Sequence, residues 1–478
     1  MRVIPLLSSI GLASMLATGC AVGPDYVAPG APVAASFNSA AAVQGRQAAP
    51  PADLEAWWSS FNDPLLTTLV AQGLEQNLDI AQASARLAQS RGMLHSADAA
   101  LLPSIGASGQ AARAHQSVET PLGRLLNATP GYDRNGNYAE LGIGATWELD
   151  LFGTNHRAQE AARAEYQASE AGAVATRLAV AAQVADTYVA IRGLQARLGI
   201  AAQQRDTRRK LLQTIQLQFD KGIAAELQVD QATGSLSEVE ASIPMLEAGI
   251  EVAINALDVL LGTVPGSHRE AMAVAGPVPV APGIAPGNPA DMLRRRPDLI
   301  AAERRLAASN ARIGMAMSEY YPKFSLGAAL GTATTQGGNL FTGPANQAQG
   351  VLGLRWRLFD FGRIEAEIAA ARGKNAEALA AYRQVALRAT EDVEGSFVTL
   401  LRREQQERAL EVGEKALARA RSASFQAYQG GAVSLIEVLN ADANLLATRD
   451  AKALAATEAA RAAISSFRAL GGGWKSQA

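Results

Sequence analysis

Residues 147–153 read Trp-Glu-Leu-Asp-Leu-Phe-Gly, and residues 356–362 read Trp-Arg-Leu-Phe-Asp-Phe-Gly. The two stretches lie 209 positions apart, and that offset persists without a gap far beyond them. Ala161-Ala162-Arg163 meets Ala370-Ala371-Arg372, Tyr188 meets Phe397, and Phe219 meets Tyr428. Gly222 then meets Gly431, and Leu261-Gly262 meets Leu470-Gly471. Upstream the offset is 219: Asp79, Arg86, Leu87 and Pro103 meet Asp298, Arg305, Leu306 and Pro322. The first copy therefore carries ten extra residues between its Pro and its Trp. A period this long marks a duplicated, domain-sized unit rather than a short solenoid repeat.

Each copy reads as helix, strand pair, very long helix, turn, helix. In the first, residues 64–102 read as a helix that ends against Pro103. Residues 104–116 and 137–149 read as strands. Leu141, Ile143, Ala145, Trp147 and Leu149 alternate with Glu140, Gly142, Gly144, Thr146 and Glu148. In the second copy Phe324, Leu326, Ala328 and Leu330 alternate in the same way, as do Leu352, Leu354, Trp356 and Leu358. A period of two with one apolar and one small or polar face fits a half-buried sheet or an outer-membrane barrel wall. The turn-rich stretches 127–137 and 335–347 suit external loops. Four strands cannot close a membrane barrel, which needs about eight, and open edges are not tolerated in lipid. Strands that span a bilayer here need strands from other chains.

No Pro occurs in 155–221 or anywhere after Pro344. A helix over 155–221 rises about 100 Å, longer than any compact globular domain. Val184, Tyr188, Ile191, Leu194 and Leu198 form a coiled-coil-like seam on it. Gly222 and Gly431 supply the left-handed residue that stops each long helix. The return helices, about 227–262 and 436–470, are half as long as the outgoing ones. The first helix of each copy has the missing length, so two short helices are expected end to end beside each long one. Seven Pro residues between Pro265 and Pro297 make the connecting stretch extended.

At the N-terminus, Arg2 precedes an apolar stretch to Leu16, and Ala17-Thr18-Gly19 precede Cys20. This is a charged region, a short apolar region and small residues before a cut site. Cys20 is the only Cys in the chain, which excludes an internal disulfide framework. Its position marks it for lipidation, an anchor that does not span the membrane. Beyond the first twenty residues no uninterrupted apolar run is long enough for a transmembrane helix.

The 478 residues carry a formal net charge of −2, which argues against nucleic-acid binding. The four His lie far apart with no metal-ligand spacing, so no metal or other cofactor is expected. No dinucleotide-binding glycine motif, Walker lysine, zinc-protease helix or nucleophile elbow occurs, so the chain is not read as an enzyme. Asp150 and Asp360 follow strands, where a turn role accounts for them.

Gly19-Cys20-Ala21-Val22-Gly23-Pro24-Asp25-Tyr26, Trp57-Trp58 through Asn62-Asp63-Pro64, and Arg294-Arg295-Arg296-Pro297-Asp298-Leu299 form a specific set. With Ala301 to Leu306, Tyr321-Pro322 and the tip Tyr428 to Ala441, they resemble the TolC-like outer-membrane factors, in the OprM/NodT-type lipoprotein branch. The resemblance implies a homotrimer whose four strands per protomer complete a twelve-stranded outer-membrane β-barrel. It also implies a long periplasmic α-helical coiled-coil tunnel, a periplasmic adaptor and an inner-membrane RND-type transporter as partners. The implied activity is passive export of drugs or other small molecules. Ala21 after Cys20 resembles the sorting signal for the outer membrane. The alternatives are the exit duct of a type I protein-secretion system and a pore-less periplasmic scaffold lipoprotein. The expected organisation is a signal peptide (1–19), a lipidated extended segment (20–63), repeat one (64–262), a Pro-rich equatorial linker (263–289), repeat two (290–471) and a tail (472–478).

In that family the helix tips meet the adaptor and close the periplasmic end. The matching positions here are Tyr428, Gly431, Glu437 and Asn440, with Gly222 at the first tip. Glu437 and Asn440 are thus the expected gate, and Gly222, Gly431 and Tyr428 the expected adaptor contact. Ser434-Leu435-Ile436-Glu437 also spells a capping box, in which the Glu serves its own helix. Glu140, Glu148, Arg355 and Arg357 are expected to line the pore. Arg294 to Arg296 is expected to be a salt-bridged structural turn.

Overall fold

The computed structural model describes residues 21–32, 34–46, 53–336 and 338–475; the signal peptide and Cys20 lie outside them. In chain order the elements are α1 (Ala40–Gln44), α2 (Pro64–Gln76), α3 (Leu78–Ala99), β1 (Ser104–His115), α4 (Pro121–Asn127), β2 (Asn135–Glu148), α5 (Thr154–Asp220) and α6 (Glu226–Leu260). There follow α7 (Arg269–Ala273), α8 (Pro289–Arg295), α9 (Pro297–Ser318), β3 (Lys323–Thr334), β4 (Asn346–Arg355), α10 (Arg363–Gln429) and α11 (Leu435–Ala469). The two long helices, α5 and α10, have 67 residues each, and the return helices α6 and α11 have 35 each. The ten-residue excess of the first copy falls in the β1–β2 connection, which holds α4.

Contacts divide the chain into two units. The first holds the N-terminal segment up to Pro29 with residues 88–168 and 303–381. At its centre is one antiparallel sheet in the order β1-β2-β3-β4, each strand hydrogen-bonded to the next in sequence. The indole N–H of Trp147 donates to the Leu101 carbonyl at 2.9 Å, and that of Trp356 to the Tyr320 carbonyl at 3.0 Å. The Trp residues of the duplicated motif therefore tie each hairpin to the end of the helix before it. Asp150 caps α5 through the amides of Asn155 (2.9 Å) and His156 (2.8 Å), and Asp360 caps α10 through Ile364 (2.7 Å). The turn role of these two carboxylates holds.

The segment after Cys20 packs on this unit. The Val22 amide donates to the Phe152 carbonyl at 3.2 Å. Arg157, nearly buried, donates to the carbonyls of Val22 and Gly23 and to the Asp25 carboxylate (3.2, 3.3 and 2.8 Å). One side chain of α5 thus holds the Val-Gly-Pro-Asp stretch in place.

The second unit holds residues 30–87, 169–302 and 382–478. Here the expected single helix over 64–102 is two helices, broken at Asn77, whose ψ of 132° is extended. The Asn77 side chain accepts from the amides of Asp79 (2.8 Å) and Ile80 (3.2 Å), so it caps α3. Its amide nitrogen donates to the Leu260 carbonyl at the end of α6, at 2.8 Å. The return helix therefore ends against the start of α3, the end-to-end junction its length called for. In the second copy Arg296 stands where Asn77 stands and donates to the Ala469 carbonyl at the end of α11, at 3.2 Å. Arg296 also bonds Asp298 (2.7 Å), Asp392 (2.9 Å) and the Ala389 carbonyl (3.2 Å). Arg294 pairs with Asp291 at 3.3 Å. The arginine triplet is a structural turn.

Val184, Tyr188 and Ile191 of the expected seam are fully buried, while Leu194 and Leu198 are half-buried. Burial, and then the bond from its hydroxyl to Asp63 (2.6 Å), pushes the Tyr188 phenol up to about 12. Ion pairs tie α5 to α11: Arg197–Asp450 at 2.7 Å and Arg461–Asp186 at 2.8 Å. One window of α5 is apolar enough, by length and composition, to cross a bilayer, although no uninterrupted apolar run occurs there; half of it is buried.

Candidate functional site

The register assigns every strand residue to one of two faces, because successive side chains alternate. One face carries Ile105, Leu141, Ile143, Trp147, Leu326, Leu330, Leu352 and Leu354, all exposed, Leu352 to 71%. The other carries Ser104, Ser108, Gln110, Glu140, Thr146, Ser325, Gln347 and Gln349 among glycines and alanines. A soluble sheet would bury its apolar face under another layer. Here that face is bare and the small, polar face opposes it, the arrangement of a membrane-barrel wall. Strands of 10 to 14 residues are long enough to cross a bilayer when tilted.

Glu140, Glu148 and Arg355 lie on the polar face. Glu140 accepts from the Tyr138 hydroxyl (2.5 Å) and from the Gln347 amide (2.9 Å). Tyr138 and Gln347 were not read from the sequence, since their link crosses from β2 to β4 over the intervening strand. Arg357 differs from the expectation. It lies beyond the end of β4 and binds Glu319 and Glu367, so it belongs to the strand-to-helix junction and not to the strand face. Burial raises the Glu319 carboxyl, but the bonds from Lys323 and Arg357 outweigh it and hold its pKa below the usual value.

The junction is apolar and aromatic. Phe152 stacks on Tyr321 with centroids 4.6 Å apart. Trp356, Leu358, Phe359 and Phe361 stand exposed after β4, Phe361 fully so. Such girdles mark the membrane–water interface of outer-membrane barrels.

The helix tips belong to the helical unit. Gly222 and Gly431 adopt φ of 74° and 72°. At the first tip the Ile223 amide donates to the Gln218 carbonyl and the Gly222 amide to that of Phe219, each at 2.8 Å. At the second tip Ala432 donates to Ala427 at 2.8 Å and Gly431 to Tyr428 at 2.9 Å. Both are Schellman motifs, in which a residue at positive φ closes the helix. The two tips pack together through Leu211, Ile215, Ala232, Leu435 and Val438. Tyr428 joins that cluster and donates its hydroxyl to Gln218 at 3.3 Å. Burial raises the Tyr428 phenol.

Glu437 and Asn440 are exposed on the first turns of α11. The capping box spelled by the sequence does not form, because the Ser434 side chain makes no cap bond. Among the described residues the Glu437 carboxylate has no partner, so it is free to meet solvent or another chain. In the first copy Gln228, at the matching position, turns back to accept from the Ala225 amide at 3.1 Å. Among the described residues no cluster of His, Cys, Asp or Glu is arranged to hold a metal.

These features recur in proteins of known class. The family profile described as outer membrane efflux protein matches residues 69–263 and 288–472, one match for each repeat. Nodulation protein T of Rhizobium leguminosarum bv. trifolii is 31% identical over 470 residues, covering 96% of both chains. Outer membrane protein OprJ of Pseudomonas aeruginosa is 31% identical, covering 95% of this chain and 93% of its own. The solved structure of the outer-membrane channel OprN superposes with a TM-score of 0.86 at 31% identity, covering 95% of this chain and all of that one. The two repeats, the two-faced sheet and these likenesses converge: the chain belongs to the outer membrane efflux protein family.

Proposed function

We propose that this chain is the outer-membrane channel of a tripartite efflux system. In this reading a homotrimer conducts drugs or other small molecules received from an inner-membrane RND-type pump and a periplasmic adaptor. The observation that carries it is the four-stranded sheet with a bare apolar face, a polar face and an unpaired edge on each side. The polar face, with Glu140, Glu148 and Arg355, becomes the pore wall once further copies close the sheet. A second feature supports assembly. On α6 the exposed residues Ala241, Met245, Ala248, Val252, Ala256 and Val259 recur at spacings of three or four, an apolar stripe of the kind that packs against another helix.

Cys20 is the proposed lipid anchor. Ala21, the next residue, packs against Gly153 beside the stacked Phe152 and Tyr321, which is consistent with an anchor at the membrane surface. Labelled fatty acid is expected in the wild type and absent from Cys20→Ser. Equal labelling of both would remove the anchor.

Gly222, Gly431 and Tyr428 are the proposed adaptor contact. A Cβ built on Gly431 meets nothing within 4 Å, so a side chain there starts into open space. Its positive φ costs a side chain about 1–2 kcal/mol, too little to unfold the bundle. Gly431→Trp should therefore keep its oligomer and lose most of its efflux. Full drug resistance at normal expression argues against a docking role.

Glu437 and Asn440 are the proposed gate. Purified oligomer in planar bilayers should conduct ions, and the absence of any conductance would overturn the channel reading. Three copies of Glu437 around one axis attract cations. Glu437→Ala should shift the reversal potential under a salt gradient toward lower cation selectivity. An unmoved potential excludes Glu437 from the pore.

A further inference from the structure

The two long helices are covered differently at matching positions. On α5 the cover is the linker that follows α6. The Arg192 guanidinium donates to the Val274 carbonyl at 2.7 Å, and the Gln195 side-chain amide donates to the Met272 carbonyl at 2.6 Å. The offset of 209 carries Ala185, Tyr188, Arg192 and Gln195 to Glu394, Phe397, Leu401 and Glu404 of α10. There the cover is residues 37–46, from the stretch that precedes both repeats. The amides of Asn38 and Ser39 donate to the Glu394 carboxylate, Ser39 at 3.2 Å. Phe37 meets the buried Phe397 edge to face, with centroids 5.9 Å apart. Arg46, its side chain 4% exposed, grips the Glu404 carboxylate through Nε (3.1 Å) and Nη2. Its Nη1 donates to the Pro282 carbonyl of the linker at 3.2 Å.

Each difference between the copies suits the different cover. Where α5 has Arg192, a cation that reaches out to the linker, α10 has Leu401 and receives its cation from Arg46. Where α5 has Ala185 and Gln195, α10 has the carboxylates Glu394 and Glu404, acceptors for amide and guanidinium donors. The spacing fits as well. Phe397 and Glu404 are seven residues apart on one helix, about 10 Å. The nine steps from Phe37 to Arg46 would span about 30 Å if extended. The short helix α1 takes up the excess, buries Val43 and lets both anchors meet α10. We propose that Glu394, Phe397 and Glu404 form a peptide-docking site whose occupant is Phe37–Arg46. The docked peptide is a clasp, because Arg46 fastens the linker and α10 with one side chain.

A thiol at Val43 reports docking in the detergent-solubilised, full-length oligomer. Val43 is 2% exposed, and the parent protein supplies the blank for Cys20. In Val43→Cys the thiol should react slowly with a maleimide. Glu404→Arg or Arg46→Glu alone sets like charges against each other and should raise the labelling rate about tenfold or more. The two changes combined exchange the charges and should restore slow labelling. Gln195→Ala, at the matching place on α5, should leave the rate unchanged. Equal rates in all of these variants overturn the clasp. Fast labelling that the exchanged pair fails to slow removes the pairing of Arg46 with Glu404. Should neither single variant assemble while the exchanged pair does, the pair is required for assembly, which supports the clasp.

A second thiol tests the hold on the linker. Ile284, two residues after Pro282, is 5% exposed. Ile284→Cys should label faster in the same single variants that free Val43→Cys. Slow labelling there throughout overturns the fastening of the linker. Docking can also be read in trans. The Phe37→Ala/Arg46→Ala protein should bind a fluorescent synthetic peptide of residues 34–46, and the same peptide with Arg46→Ala should bind about tenfold more weakly or worse. No binding of the native peptide, or equal binding of the two, overturns the docking site.

Discussion

Ile143→Arg is expected to abolish accumulation of the folded oligomer in the outer membrane, while Thr146→Arg is tolerated. The two residues are close neighbours on β2 but lie on opposite faces, Ile143 among exposed apolar side chains and Thr146 among small and polar ones. An Arg on the lipid face of a barrel costs about 2–4 kcal/mol near the bilayer midplane. The cost recurs in every protomer, whereas an Arg on the polar face remains in water. The measurement is the amount of heat-dissociable oligomer in outer-membrane fractions, with drug susceptibility as the functional counterpart. Equal accumulation of the two variants would mean that the apolar face does not meet lipid.

Arg296→Ala should lower the stability of the helical unit measurably. Its guanidinium is nearly buried and binds two carboxylates and two backbone carbonyls, one of them at the end of α11. Removing one partner of a buried pair costs about 3–5 kcal/mol. Asp298 and Asp392 are 43% and 50% exposed, so water recovers part of this and about 2 kcal/mol should remain. The Ala469 carbonyl accounts for part of that loss, because it ends α11, whereas the Ala389 carbonyl still accepts from an amide of its own helix. Thermal unfolding of the detergent-solubilised protein measures the loss. Arg294→Ala, whose side chain is 80% exposed, is the control and should leave the melting temperature nearly unchanged. Equal melting of the two variants would show that the junction between α11 and α9 does not depend on Arg296.

Most of the architecture was legible in the sequence because its signals are periodic. The alternation around Ile143 and Leu352, the long Pro-free stretches and the helix-ending Gly222 and Gly431 each follow from steric rules acting within a few residues. The duplication needs only comparison of the chain with itself.

Less legible were the features that depend on which distant group comes within about 3 Å. Asn77 breaks a segment that reads as one helix, and the partner that uses its side-chain amide, the Leu260 carbonyl, lies 183 residues away. Arg357 fits the strand alternation, but Glu319 and Glu367 hold it at the junction. Ser434 and Glu437 have the spacing of a capping box, yet the Ser hydroxyl makes no cap bond. Tyr138, Glu140 and Gln347 meet only because β2, β3 and β4 lie side by side. The sequence alone determined the repeats, the strands, the long helices and the lipoprotein-like start. Only the tertiary structure decided where the helices break, which ion pairs form and which polar side chains stay free, because hydrogen bonds and ion pairs act over a few ångströms of space and take no account of distance along the chain.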